Sequence, residues 1–385
     1  MYATLSDLLF DLFGIQTRLP IQMFGLVMAL SFVGAYLVMQ SELKRKQANG
    51  LLFPIKIQKK INEPIALIDF VTAVIIGAFI GFKLLEMILD YDSLVDNPQK
   101  FILSAKGSWF GALLGGAYSY YQKKKEADAL IGKKVELKEI VVQPYELMGN
   151  IVAIAAIGGL LGAKIFHNLE NIDQLMADPI GSLLSFSGLT FYGGLIVAAI
   201  GILYYTGKKG MPAWHVCDAA AAGLMLSYGT GRLGCHLSGD GDWGIDNLAA
   251  KPDWLSFLPD WAWSSRYAHN VLSEGVPIPG CEGAHCFQLL NPVYPTALYE
   301  AFACIGLFIF LWLIRKRFTI PGTFFLCYLL LNGIERFLIE KIRVNTTYSI
   351  FNAHITQAEI ISFTFIIGSL IGLLILKMKH KKTLA

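Results

Sequence analysis

Charge is scarce in this sequence of 385 residues: Asp, Glu, Lys and Arg make up 16%, against about 25% in an average soluble chain. Hydrophobic residues supply 55%, which excludes a disordered chain, a coiled coil and a secreted disulfide scaffold, and reads as an integral membrane protein. Neither sign of charge dominates. With 32 Lys+Arg against 29 Asp+Glu and a formal charge of +3, nucleic acid is excluded as a partner and basic loops against anionic lipid are expected. Cysteine is sparse, six in all; Cys217, Cys235, Cys304 and Cys327 fall in or beside apolar segments, whereas Cys281 and Cys286 share a polar loop and could bridge only in an oxidising compartment. Familiar catalytic signatures are missing: there is no Walker loop, no Gly-x-Ser-x-Gly elbow and no zinc pairing of His or Cys. Asp240-Gly-Asp242, with Asp246 beyond, lacks the twelve-residue ligand spacing and closing Glu of a calcium loop, so no metal and no cofactor are expected.

What is present in abundance is apolar length. Spans of about 20 residues cross a bilayer, and candidates fall at roughly 21–40, 65–89, 108–121, 147–167, 189–205, 214–234, 295–314, 321–341 and 355–376, nine in all. The start, with Asp7 and Asp11 and no basic stretch, lacks the grammar of a removed leader. Cytoplasmic loops keep positive charge. With the N-terminus outside, the inner gaps hold 21 Lys and Arg and the outer stretches 6, which predicts an all-α polytopic protein with its N-terminus periplasmic and its C-terminus cytoplasmic. Lys83, Lys164, Arg232, Arg336 and Lys341 remain within or at the ends of spans, where a cation must be paired or hydrated; for the two lysines snorkelling to headgroups is expected.

Sliding the chain against itself reveals a repeat at an offset of 81: Gly77 matches Gly158, Gly81-Phe-Lys83 matches Gly162-Ala-Lys164, Pro98 matches Pro179, Leu103-Ser104 matches Leu184-Ser185, Gly107 matches Gly188 and Phe110 matches Phe191. The unit is a helix, a short outer loop and a Gly-rich helix. The expected organisation is therefore a first segment and span (1–62), an additional helix pair (63–140), the second repeat copy with core spans (141–234), a periplasmic loop or cap rich in tryptophan (235–294) and the last core spans (295–385).

Two constellations carry chemistry. In Tyr228-Gly-Thr-Gly-Arg-Leu-Gly-Cys-His-Leu-Ser-Gly-Asp-Gly-Asp-Trp-Gly244, Arg232 near the outer end of a span is followed by glycines, two carboxylates and a histidine. Close-set glycines, here Gly231, Gly234 and Gly239, let backbone N–H groups approach an anion, and a guanidinium forks onto phosphate. In Gly333-Ile-Glu-Arg-Phe-Leu-Ile-Glu-Lys-Ile-Arg343, Arg336 and Glu340 are four apart and share a helix face that Arg343 continues. Two intramembrane arginines near one leaflet point to a phospholipid phosphate. Gly193 and Gly194, taken alone, read as small-residue helix packing.

These residues resemble the bacterial prolipoprotein diacylglyceryl transferases. The likeness rests on Phe191-Tyr-Gly-Gly-Leu195, Gly231-Arg-Leu-Gly234 with Gly239-Asp-Gly-Asp-Trp-Gly244, Tyr294-Pro-Thr-Ala-Leu-Tyr-Glu300, and Arg336, Glu340 and Arg343. It covers 20–45 and about 147–376, leaving roughly 63–140 as an addition to seven family spans. The resemblance implies transfer of the diacylglyceryl group of phosphatidylglycerol to the lipobox cysteine of preprolipoproteins, with glycerol 1-phosphate released, in the bacterial inner membrane with the site toward the periplasm. It further implies headgroup binding by Gly193, Gly194 and Tyr299. The family's histidine is Tyr192 here, its asparagine after Gly-Arg-x-Gly is Cys235, and its glutamate becomes Asp240 or Asp242. The expected base is accordingly Asp240, Asp242 or Tyr192, with His236 a lesser choice. A small-anion transporter and a non-catalytic phospholipid-binding relative are the competing readings.

Overall fold

The computed structural model describes residues 1–184, 190–345, 347–350 and 353–384. In chain order the helices are α1 (Leu5–Phe13), α2 (Met23–Ala48), α3 (Leu67–Leu89), α4 (Tyr91–Asp96), α5 (Pro98–Leu103), α6 (Trp109–Asp128), α7 (Met148–Glu170), α8 (Ile172–Ala177), α9 (Pro179–Leu184), α10 (Phe191–Lys208), α11 (Ala213–Ser238), α12 (Thr296–Ile314), α13 (Thr323–Ile339) and α14 (Gln357–Leu384). Three two-stranded ribbons interrupt this helical protein: β1 (Ile55–Ile61) with β2 (Glu136–Val142), β3 (Val276–Pro277) with β4 (Phe287–Gln288), and β5 (Thr347–Ile350) with β6 (Ala353–Thr356).

Helices occupy all nine expected stretches, and among the described residues six are long and apolar enough to cross a membrane: Met23–Ala48, Leu67–Leu89, Pro144–Glu170, Phe191–Lys208, Thr296–Arg317 and Gln357–Lys382. The three that fall short have local reasons. Helix α6 ends in Lys123, Lys124, Lys125 and Glu126, α13 has only 17 residues, and α11 carries Asp218, Arg232 and His236. Helix α11 is central and packs against α2, α12 and α13, so Ala219, Ala221, Ala222 and Met225 are buried against protein. Outward-facing residues such as Ile75, Phe79, Leu161 and Phe363 leave the bundle surface apolar, as contact with lipid tails requires.

The chain divides into two units: Met1–Ala3, Met23–Ile55 and Val142–Ala385 form one, Thr4–Gln22 and Lys56–Val141 the other. The repeat is visible within each. In the second unit α3, α4 and α5 run Leu67–Leu89, Tyr91–Asp96 and Pro98–Leu103; in the first, α7, α8 and α9 have the same bounds moved on by 81. Ser185 and Gly188 lie outside the described residues. Beyond that loop the register slips by one. Helix α6 begins at Trp109 and α10 at Phe191, a Cβ on Gly111 would strike the carbonyl of Gly81, and a Cβ on Gly193 would press within 2.6 Å of the carbonyl of Gly162. Gly111 therefore corresponds to Gly193 and Phe110 to Tyr192, which corrects the match of Phe110 with Phe191.

Lys83 also departs from expectation. Its ammonium is buried and donates to the carbonyls of Phe101, Ser104 and Lys106 at 3.0, 2.6 and 2.7 Å, tying the loop to α3 in place of snorkelling. At the end of α11 away from Arg232, several basic residues counted as loop charge are spent on buried carboxylates. Arg45 and Arg315 hold Glu42 at 2.6 and 2.8 Å. Lys46 holds Asp218 at 3.3 Å, which also accepts the backbone N–H groups of Gly322 and Phe325 at 3.0 Å. Unpaired, any of these buried charges would be costly; here each is neutralised.

Candidate functional site: a guanidinium and carboxylate cluster

At the other end of α11 three arginines converge on one carboxylate. Glu300, on the second turn of α12 and fully buried, receives Arg232 Nε from α11 at 3.0 Å, Arg336 Nη1 from α13 at 2.5 Å, and Arg343 Nη1, just beyond α13, at 3.2 Å. The Tyr228 hydroxyl, one turn before Arg232, donates to Glu300 Oε1 at 3.3 Å, and its ring lies 5.3 Å from the Arg232 guanidinium. Arg336 Nη2 pairs with Glu340 Oε2 at 2.8 Å, the expected four-residue spacing, and Asn345 donates to the other Glu340 oxygen at 2.7 Å. Asp242 bridges Arg232 and Arg343. Three guanidinium groups pair with three carboxylates, which is how so many charges share a half-buried space.

Two glycines in the left-handed region shape the loop that brings the aspartates here. Gly239 (φ +65°) ends α11 with its N–H on the Cys235 carbonyl at 2.9 Å, and Gly241 (φ +95°) turns the chain again. Asp240 between them folds back toward Cys235. Farther on, Gly244 slips between two backbones: its N–H donates to the Tyr294 carbonyl at 2.8 Å, and an added Cβ would lie 2.5 Å from the Ile342 carbonyl. With Thr296 Oγ1 donating to the Asp242 carbonyl at 2.9 Å, this threading holds Asp242 against Arg343.

Arg232, Arg336, Arg343, Glu340 and Asp242 thus meet in one cluster. Tyr192, half-buried on the first turn of α10, lies within electrostatic reach of Arg336, Glu340, Arg232 and Arg343. Cys235, Asp240 and Asp242 place one donor atom each within 4.8 Å of one another, with Asp242 already shared by two guanidinium groups. Burial raises the Asp240 carboxyl above the ordinary range.

Other expected residues sit elsewhere. The Tyr299 hydroxyl donates to the Trp263 carbonyl at 3.3 Å. His236 is buried against the Tyr267 hydroxyl at 3.2 Å and stacks on Trp261, within the loop's aromatic cluster. Gly193 and Gly194 are closed off by Phe166 and the Gly159 carbonyl on α7, while Met28 and Val27 of α2 cover Gly231 and Gly234, and Asn270 covers Gly239. Cys281 and Cys286 are bridged. Glu300 went unassigned although it closes the Tyr294 to Glu300 motif; the signal was a carboxylate inside an apolar span, where a buried cation partner is required.

The family model described as prolipoprotein diacylglyceryl transferase matches residues 11–132 and 127–375. The first stretch includes the additional helix pair, which the residue-by-residue resemblance had left out. The chain is 27% identical over 252 residues to the phosphatidylglycerol--prolipoprotein diacylglyceryl transferase of Clostridioides difficile, covering 65% of this chain and 86% of that protein. It is 25% identical over 267 residues to the protein of that name from Oceanobacillus iheyensis, with 68% and 82% covered, and 27% identical over 297 residues to that from Xylella fastidiosa (strain M12), with 70% and 89% covered.

Proposed function

Because the chain belongs to the prolipoprotein diacylglyceryl transferase family, we propose that it moves the sn-1,2-diacylglyceryl group of phosphatidylglycerol onto the lipobox cysteine thiol of preprolipoproteins. Glycerol 1-phosphate leaves, and the lipidated product enters lipoprotein maturation. The reading places all nine helices across the inner membrane, with the N-terminus and the arginine cluster on the periplasmic side and the C-terminus in the cytoplasm. The observation that carries it is the convergence of Arg232, Arg336 and Arg343 on Glu300.

Displacement at a glycerol carbon needs a phosphate that leaves readily. Fixed guanidinium groups in a water-poor site stabilise the charge developing on it without reorganising at the moment of reaction. Glu300 and Glu340 hold the arginines in place, while Asp242, the most exposed carboxylate of the cluster, occupies the space between Arg232 and Arg343 that a phosphate would claim. The headgroup then replaces Asp242 as their partner, one negative charge for another. The thiol must also surrender its proton to a neighbouring group, since a cysteine near pKa 8.5 is mostly protonated at neutral pH; Asp240, Asp242 and Tyr192 are the candidates. The test is purified protein given phosphatidylglycerol and a lipobox peptide, with the peptide's mass as readout. A diacylglyceryl adduct supports the reading, and no adduct from folded, lipid-embedded protein rejects it.

A further inference from the structure

We infer that Asp240 is the group that takes the thiol proton, and that Cys235 is the positioning residue that holds it for that task. The inference rests on the transferase reading above. Its basis is a count of which carboxylate oxygens are free. Glu300 is occupied by three guanidinium groups, Glu340 by Arg336 and Asn345, and Asp242 by Arg232 and Arg343. A carboxylate shared among guanidinium groups has given up its basicity to them. Of the two aspartates in the loop after α11, Asp242 is shared between guanidinium groups, whereas Asp240 makes no guanidinium bond: its carboxylate lies within 4.8 Å of the Cys235 Sγ, and its Oδ1 is buried with no partner among the described residues. A tyrosine, ordinarily near pKa 10, is a poor acceptor beside it.

The local backbone is built for this contact. Gly239 and Gly241 both lie in the left-handed region, and the Asp240 N–H returns to the Cys235 carbonyl at 3.4 Å, so the aspartate side chain is turned back over the end of α11. The charged or titratable groups facing Asp240 are Cys235 and Arg232 of α11, Arg343 beyond α13, and Asp242 and Tyr267 of the loop. Burial raises the Asp240 carboxyl, and the two arginines act against that rise.

The step balances. The lipobox S–H bond breaks and its proton goes to the Asp240 carboxylate, the sulfur lone pair forms the bond to the glycerol carbon, and the C–O bond to phosphate breaks with its electron pair on the phosphate oxygen. Glycerol 1-phosphate departs from the arginines, and Asp240 returns its proton to water.

The experiment is the pH dependence of kcat/KM for the full-length protein in phosphatidylglycerol nanodiscs, with wild type, Cys235→Ala, Cys235→Ser, Asp240→Glu and Asp240→Asn. A thiol that donates to the carboxylate favours its charged form, so Cys235→Ala moves the acid limb to higher pH by roughly half a unit, and Cys235→Ser, which keeps a donor, restores it. Asp240→Asn lowers kcat by about 100-fold or more with KM for phosphatidylglycerol retained, and Asp240→Glu retains an acid limb. An Asp240→Asn rate close to wild type, or a Cys235→Ala limb that coincides with wild type, overturns the assignment while leaving the transferase reading intact. A wild-type protein without any transfer overturns the transferase reading itself, and this inference with it.

Discussion

Arg336 on α13 reaches across to Glu300 on α12 at 2.5 Å, and its other amino group reaches one turn onward to Glu340, just past the end of α13, at 2.8 Å. One guanidinium is thus fixed in plane by two fully buried carboxylates on different elements. That orientation leaves Arg336 no freedom to follow a moving ligand, which suits a group meant to stabilise charge that appears only as a bond breaks.

Arg232→Ala and Arg336→Ala are each expected to cut transfer by about 100-fold or more, since each removes charge directed at the leaving phosphate. Both proteins should remain inserted and folded. Turnover of the lipobox peptide checks this, and an unchanged rate in either variant removes that role.

Glu300→Ala should cost stability as well as activity. It leaves three guanidinium groups together without their common partner, and breaking a buried pair in this way costs about 3–5 kcal/mol. Thermal unfolding in detergent should show a clear drop, larger than for Arg232→Ala. An unfolding curve that overlays the wild type would mean the cluster is open to water.

Asp242→Asn tests whether the headgroup displaces this side chain. With the bridging charge gone, Arg232 and Arg343 are available, so KM for phosphatidylglycerol should fall. A rise in KM would show that Asp242 helps to hold the lipid.

Excising Lys56–Val141 and joining Ile55 to Val142 is expected to lower stability or change which lipoproteins are served while transfer persists. Both junction residues pack against the same buried cluster around Leu52 and Met148, so the seam has support on each side. Loss of all turnover in a folded deletion variant would assign chemistry to the extra pair. The first copy carries Phe110 where the second has Tyr192, so the hydroxyl near the cluster is not duplicated.

Much of this was legible in the chain. Helices follow apolar length, and Arg336 with Glu340 follows from helical spacing, because both are local properties. Glu300 was hidden because its partners Arg232, Arg336 and Arg343 come from other elements, so no short-range pattern announces it. Glu42 and Asp218 were missed for the same reason: their cations were counted as loop charge, yet Arg45, Lys46 and Arg315 turn inward. The one-residue slip between the repeat copies escaped an offset comparison because both copies keep a Phe at the compared position, and only the contacts of Gly111 and Gly193 tell the registers apart. What stands opposite the glycines read as anion cradles, Met28 for Gly231, Val27 for Gly234 and Asn270 for Gly239, is likewise set by other elements.

Gly244 carries no charge and touches no reacting atom, yet it is a lynchpin of a different sort. A single methyl group there would prise the loop from the Ile342 carbonyl and swing Asp242 off its arginines. Damage at this position would look like the loss of an acidic residue, in a protein whose every ionisable side chain is still present.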